Sequence, residues 1–174
     1  MLGKYHEAIE DIELALKENP DDTFLVLQKS ILFHEIDDDK NAVKYLKTIV
    51  DKNETSEASL LLAEIFKKQG KNKEAVDILT EYLKKSLPEL LKREATSLLI
   101  QAYLDLGDFK NADLISQNAL LNEPDNIRNK ADEIRILRFK GEKSQAINKL
   151  KEIKKDNIYN TSLNSDQWLR CKIE

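Results

Sequence analysis

Leu99-Ile100-Gln101-Ala102-Tyr103-Leu104-Asp105-Leu106-Gly107-Asp108-Phe109-Lys110-Asn111-Ala112 is the stretch whose reading decides the fold. Leu99, Ile100 and Tyr103 recur at the spacing of one helix face, and Gly107 then ends the helix. Glycine adopts the left-handed backbone of a helix terminus without a Cβ penalty. Five residues later comes Ala112, small enough to let two antiparallel helices cross closely. Ala119 and Pro124 complete the second helix and its stop.

The same grammar recurs along the chain. Ala8, Ala42, Ala75, Ala112 and Ala146 are spaced by 34, 33, 37 and 34 residues. Gly3, Asp37, Gly70, Gly107 and Gly141 each stand five residues ahead of them. A period in the low thirties on a helix-favouring background is the pattern of stacked helical hairpins, in which large apolar residues fill the space between neighbours. Val26, Leu27, Ile31, Leu32 and Phe33 answer Leu46, Ile49 and Val50, and Leu62, Ala63 and Phe66 answer Leu79 and Tyr82. Ile134 and Leu137 likewise answer Leu150 and Ile153.

Asn19-Pro20 and Glu123-Pro124 close two of the units, and together with the glycines, alanines and Tyr103 they resemble the tetratricopeptide repeat (TPR). The resemblance covers residues 1–158 and implies an all-α fold, a right-handed α-solenoid of antiparallel helical hairpins. The expected organisation is a single array over residues 1–174. It has a partial repeat at 1–22, repeats at 23–55, 56–92, 93–126 and 127–158, and a C-terminal cap or partial repeat at 159–174. Ser165-Asp166-Gln167-Trp168 reads as the capped start of a further first helix, so the chain resembles a segment of a longer array.

Three places depart from the pattern. Asp37-Asp38-Asp39 replaces the glycine turn, and Glu54 the closing proline. The longer step from Ala75 to Ala112 contains Ser86-Leu87-Pro88-Glu89, which reads as a capping box starting an extended helix to about Leu106. In the fifth unit Lys130 and Glu133 occupy normally apolar places.

Composition narrows the chemistry. Of 174 residues, 34% are charged and 41% hydrophobic, with only three prolines and four glycines, which suits helix rather than sheet. The net charge of −4 is unevenly spread: residues 1–57 carry −7, 58–126 carry −2 and 127–174 carry +5. Cys171 is the only cysteine, which excludes an internal disulfide. No run approaches the ~18 apolar residues of a membrane span, and the start lacks a signal-peptide core, so a cytoplasmic protein is expected. His6 and His34 lie in different repeats without companions at metal-ligand spacing, and no phosphate loop or zinc motif is present. Neither an enzyme, a cofactor nor a metal site is expected.

The TPR resemblance implies a concave groove lined by the first helices. Carried over by position, its partner-binding residues are Leu27, Gln28, Ile31, Leu60, Glu64, Lys67, Lys68, Ser97, Gln101, Arg135 and Arg138. The places at which TPR co-chaperones hold heat-shock carboxylate tails carry Leu27, Ile31, Leu61, Glu94 and Leu98 in one window. The next window has Leu60, Glu64, Leu98, Arg128 and Asp132, so that ligand is not expected. The implied function is a protein–protein scaffold or adaptor taking a peptide or helix of a partner and helping assemble a multiprotein complex. An alternative is a substrate-positioning segment of a larger enzyme or transport machine. Nucleic-acid binding through the basic fifth repeat is disfavoured, since only Phe139 interleaves its arginines and lysines. End-to-end self-association through the stacking ends is a further expectation.

Overall fold

A computed structural model describes residues 2–52 and 56–159. Glu54, the cap or partial repeat around Trp168 and the lone Cys171 lie outside the described residues. Nine helices occur among those described: α1 (Leu2–Glu18), α2 (Thr23–Glu35), α3 (Asp39–Lys52), α4 (Ser56–Lys68), α5 (Asn72–Tyr82), α6 (Glu89–Asp105), α7 (Phe109–Asn122), α8 (Ile127–Phe139) and α9 (Lys143–Tyr159). No strand accompanies them among the described residues. The architecture is an all-α solenoid of helical hairpins, and the chain divides into two compact units after Ala95, within α6.

The turn chemistry is common to both units. Asp37, Gly70, Gly107 and Gly141 all have positive φ, at 59°, 73°, 74° and 80°. Each closes its helix with the same pair of backbone bonds. The amide after the left-handed residue donates to a carbonyl five residues back: Asp38 to Phe33, Lys71 to Phe66, Asp108 to Tyr103 and Glu142 to Leu137. The left-handed residue itself donates to His34, Lys67, Leu104 or Arg138. These bonds satisfy carbonyls that a helix end otherwise leaves unpaired. Asp37 therefore does the work of glycine, and its short polar side chain is among the few that tolerate this conformation.

In the first unit, α1, α2, α3, α4 and α5 pack each against the next. Ala42 and Ala75 are fully buried at their crossings, surrounded by a core that includes Leu46, Ile49, Leu62, Ile65, Leu79 and Tyr82. In the second, Ile100 and Leu104 of α6, Ala112 of α7 and Ile136 of α8 form one cluster with Tyr103, Phe109 and Ile115. Ile134, Ala146 and Ile153 form another with Leu137 and Leu150. The alanine period is thus a period of helix crossings, with Ala8 only half-buried.

Helix α6 is 17 residues long, against 13 for α2, α4 and α8, so the extra length expected between Ala75 and Ala112 is present. Its start differs from the expectation. Residues 86–88 are loop and the helix begins at Glu89, where the Pro88 carbonyl accepts from Lys92. Proline has no amide to lose there, so Pro88 sits at the helix threshold and Ser86 before it. The fifth unit forms its first helix in full despite Lys130 and Glu133. Asn126 caps it by accepting from the amides of Arg128 (2.9 Å) and Asn129 (3.4 Å).

Candidate partner-binding faces

The first unit presents the faces of α2 and α4. Leu27 and Leu60 are buried, at 3% and 8% exposure, and serve as packing beneath the face. Gln28, Ile31 and Lys67 are half-buried, and Glu64 and Lys68 exposed. The two helices are tied at their C-terminal ends: His34 Nδ1 lies 2.6 Å from Asp39, while Lys68 reaches Asp37 at 3.0 Å and Asp39 at 3.5 Å. The hydrogen bond with Lys68 holds the Asp37 carboxyl below its ordinary range and raises the Lys68 ammonium in return. Partial burial pushes Glu64 up, Glu94 adds repulsion, and His34 opposes both. Glu64 therefore sits in the electrostatic reach of the first helices on either side of it.

A second feature of this unit was not foreseen. Lys29 is 5% exposed, yet its ammonium reaches Glu13 at 2.8 Å and donates to the Tyr45 hydroxyl at 3.1 Å. It also lies 4.3 Å from the Tyr45 ring centroid, and Tyr45 stacks on Phe33 at 5.7 Å. Burial works to lower the Lys29 pKa, but the bonds to Glu13 and Tyr45 outweigh it and the net direction is upward. The ammonium ties α1, α2 and α3 together. The only sequence cue was the Lys29–Phe33 spacing on one helix face.

The second unit presents α6, from Thr96 onward, and α8. Asp132 is 2% exposed, and Ser97 Oγ donates to it at 3.0 Å from the facing helix. Arg135 donates to the same Asp132 oxygen, and Gln101 makes a long 3.5 Å contact with Ser97. Burial pushes the Asp132 carboxyl up, against the pull of Arg135, Ser97 and Arg128. Ser97, Gln101 and Arg135 of the expected groove are therefore brought together through a buried carboxylate. Arg138, one turn on, is exposed beside Phe139. Asn129 donates to the carbonyls of Ala119 (2.9 Å) and Glu123 (3.3 Å), joining α8 to the end of α7.

A shallow cleft recurs at one repeat position in both units. Val50, Ser59, Ile78, Glu81 and Tyr82 line it in the first, and Leu120, Lys130, Glu152 and Ile153 line its counterpart. Among the described residues no group of three or more His, Cys, Asp or Glu could hold a metal ion. No helix there is long and apolar enough to cross a membrane.

Models of the tetratricopeptide repeat match residues 57–86, which span the α4–α5 hairpin, and residues 2–22, which span α1 and its closing Asn-Pro. Those two segments carry the tetratricopeptide repeat. TPR structures resemble it over most of its length. MamA shares 18% identity over 92% of this chain and 93% of its own, with a TM-score of 0.74. A tetratricopeptide repeat protein from Parabacteroides merdae shares 12% identity over 88% of this chain and 60% of its own, with a TM-score of 0.78. At such identities the likeness is one of fold. No curated protein sequence matches the chain significantly.

Proposed function

We propose that this TPR protein is a non-enzymatic scaffold or adaptor that binds a peptide or helix of a partner protein and helps assemble a multiprotein complex. The observation that carries the proposal is the side-chain pattern of α2 and α4. Gln28, Ile31, Glu64, Lys67 and Lys68 stand outside the alanine-centred core, while Leu27 and Leu60 pack beneath them. The ties from His34 and Lys68 to Asp39 hold the two helices in register, so the face is organised before a partner arrives. Preorganisation lowers the entropy cost of binding, and mixed apolar and charged side chains suit a helix or extended segment.

The test is affinity capture with the wild-type chain and with an Ile31→Asp/Lys67→Glu variant, after circular dichroism establishes that the variant is equally helical. The expected outcome is a reproducible partner retained by the wild type and lost by the variant. Identical partners on both would remove the α2/α4 face from the function.

A further inference from the structure

We propose that the α6/α8 face of the second unit takes an acidic segment of a partner protein, and that Asp132 is a built-in competitor for the arginine that grips it. The proposal rests on the partner-binding reading and adds the chemistry of the ligand.

Helix α8 carries Arg128, Lys130, Arg135 and Arg138 against Asp132 and Glu133. Three of the second unit's lysines are engaged by its own carboxylates: Lys130 by Asp125 at 3.3 Å, Lys149 by Glu133 at 2.8 Å, and Lys140 by Asp113. The arginines are disposed differently. Arg135 is bonded to Asp132 from the solvent side and keeps about a third of its side chain exposed, while Asp132 itself is sealed beneath it. Arg128 lies close enough to act on the same carboxylate. Arg138 makes no ion pair among the described residues, and Phe139 next to it is 51% exposed. Residues 128 and 135 are two turns apart on one side of α8, so their guanidinium groups and Phe139 share a stripe.

A guanidinium fork pairs well with carboxylates, and an exposed ring beside it supplies an apolar anchor. The complementary ligand is an acidic peptide or helix with at least one large apolar residue. A nucleic acid fits less well, because the face offers Phe139 as its one well-exposed aromatic among the described residues, too few for successive bases to stack on.

Asp132 gives the face a tunable strength. It is anchored from behind by Ser97 and cannot leave, so a ligand carboxylate must share or displace it at Arg135. Its charge also opposes an approaching anion. Neutralising it with the similarly shaped amide removes the competitor and leaves the side chain in place.

The experiment is fluorescence anisotropy on the full chain with three labelled probes: a short peptide of alternating Glu and Leu, its Lys/Leu counterpart, and a single-stranded oligonucleotide. The Glu/Leu peptide is expected to bind, and to weaken as salt rises. Arg138→Gln, at an exposed position, should weaken it by about threefold to tenfold, and Asp132→Asn should tighten it by a similar factor. Equal binding of the Lys/Leu peptide, preference for the oligonucleotide, or indifference to Arg138→Gln would each overturn the proposal. A folded Asp132→Asn variant that binds no more tightly would overturn the competitor role; if that variant does not fold, Arg138→Gln decides on the acidic ligand. Should no probe bind while the α2/α4 variant still loses its captured partner, the acidic ligand falls and the scaffold reading stands.

Discussion

Replacing Gly107 by alanine and Gly3 by alanine makes the same chemical change at two places, and the expected effects have opposite signs. Gly107 has φ +74°, and a Cβ built there meets nothing within 4 Å. Steric crowding is therefore absent, and the cost is the backbone penalty of an L-residue held left-handed, about 1–2 kcal/mol. Gly3 lies inside α1 without a positive φ, and its added Cβ also meets nothing within 4 Å. Alanine is the better helix former there, by up to about 1 kcal/mol, with the gain reduced so close to the helix end. In thermal unfolding followed by circular dichroism, about 1 kcal/mol corresponds to a shift of about 2–4 °C for a chain of this length. Gly107→Ala should fall by that order and Gly3→Ala should rise or stay level. A third variant, Gly107→Asn, should lose less than alanine, because a short polar side chain tolerates the conformation that Asp37 adopts at φ 59°. Alanine and asparagine costing the same, or Gly107→Ala melting with the wild type, would refute the assignment of the cost to backbone conformation.

Three further outcomes follow from the packing and the buried charges. Ser116→Ala should stabilise the chain by about 1 kcal/mol in urea unfolding, because the Ser116 hydroxyl is buried without a hydrogen-bond partner among the described residues. Ala75→Leu should destabilise by about 1–3 kcal/mol in the same assay, since Ala75 is fully buried where two helices cross. Asp132 has a folded pKa above its ordinary 3.8, so the native state holds its proton more tightly than the unfolded state. Its ionised form then detracts from stability at neutral pH, and that loss is recovered as pH falls through the raised value toward 3.8. Asp132→Asn should match or exceed the wild type at neutral pH, with the difference shrinking on acidification; a difference that grows on acidification would contradict it.

The hairpin array was legible because its determinants are local and chemically narrow. A close helix crossing admits little but alanine, and a left-handed turn admits little but glycine or a short polar residue, so even Asp37 could be aligned with Gly70 and Gly107. The open face was harder to read. Leu27 and Leu60 share the helical period of Ile31 and Glu64, and periodicity alone does not say which member of a stripe a neighbouring helix covers. Lys29 illustrates the other limit: Glu13 and Tyr45 are 16 residues away on either side, beyond any local pattern. The start of α6 lies at Glu89 rather than just after Ser86 because the proline at 88 fixes the threshold of a helix more firmly than a serine cap two residues earlier. Asp132 and Ser97 are likewise 35 residues apart, about one repeat, and only the fold makes them partners.

Asn129 has a consequence for how such a chain can be shortened or lengthened. Its amide adds a second donor to two carbonyls at the end of the preceding helix, so the last turn of α7 is reinforced by a residue belonging to the next hairpin. A deletion that removes α8 takes away more than its own apolar contacts; it also removes the side-chain donor to the Ala119 and Glu123 carbonyls, leaving them the backbone bonds from Glu123 and Asn126 alone. The inheritable unit is accordingly longer than the visible period. Duplication or exchange of a repeat stays intact at this boundary only when the copied piece carries the donor asparagine along with the helix it finishes.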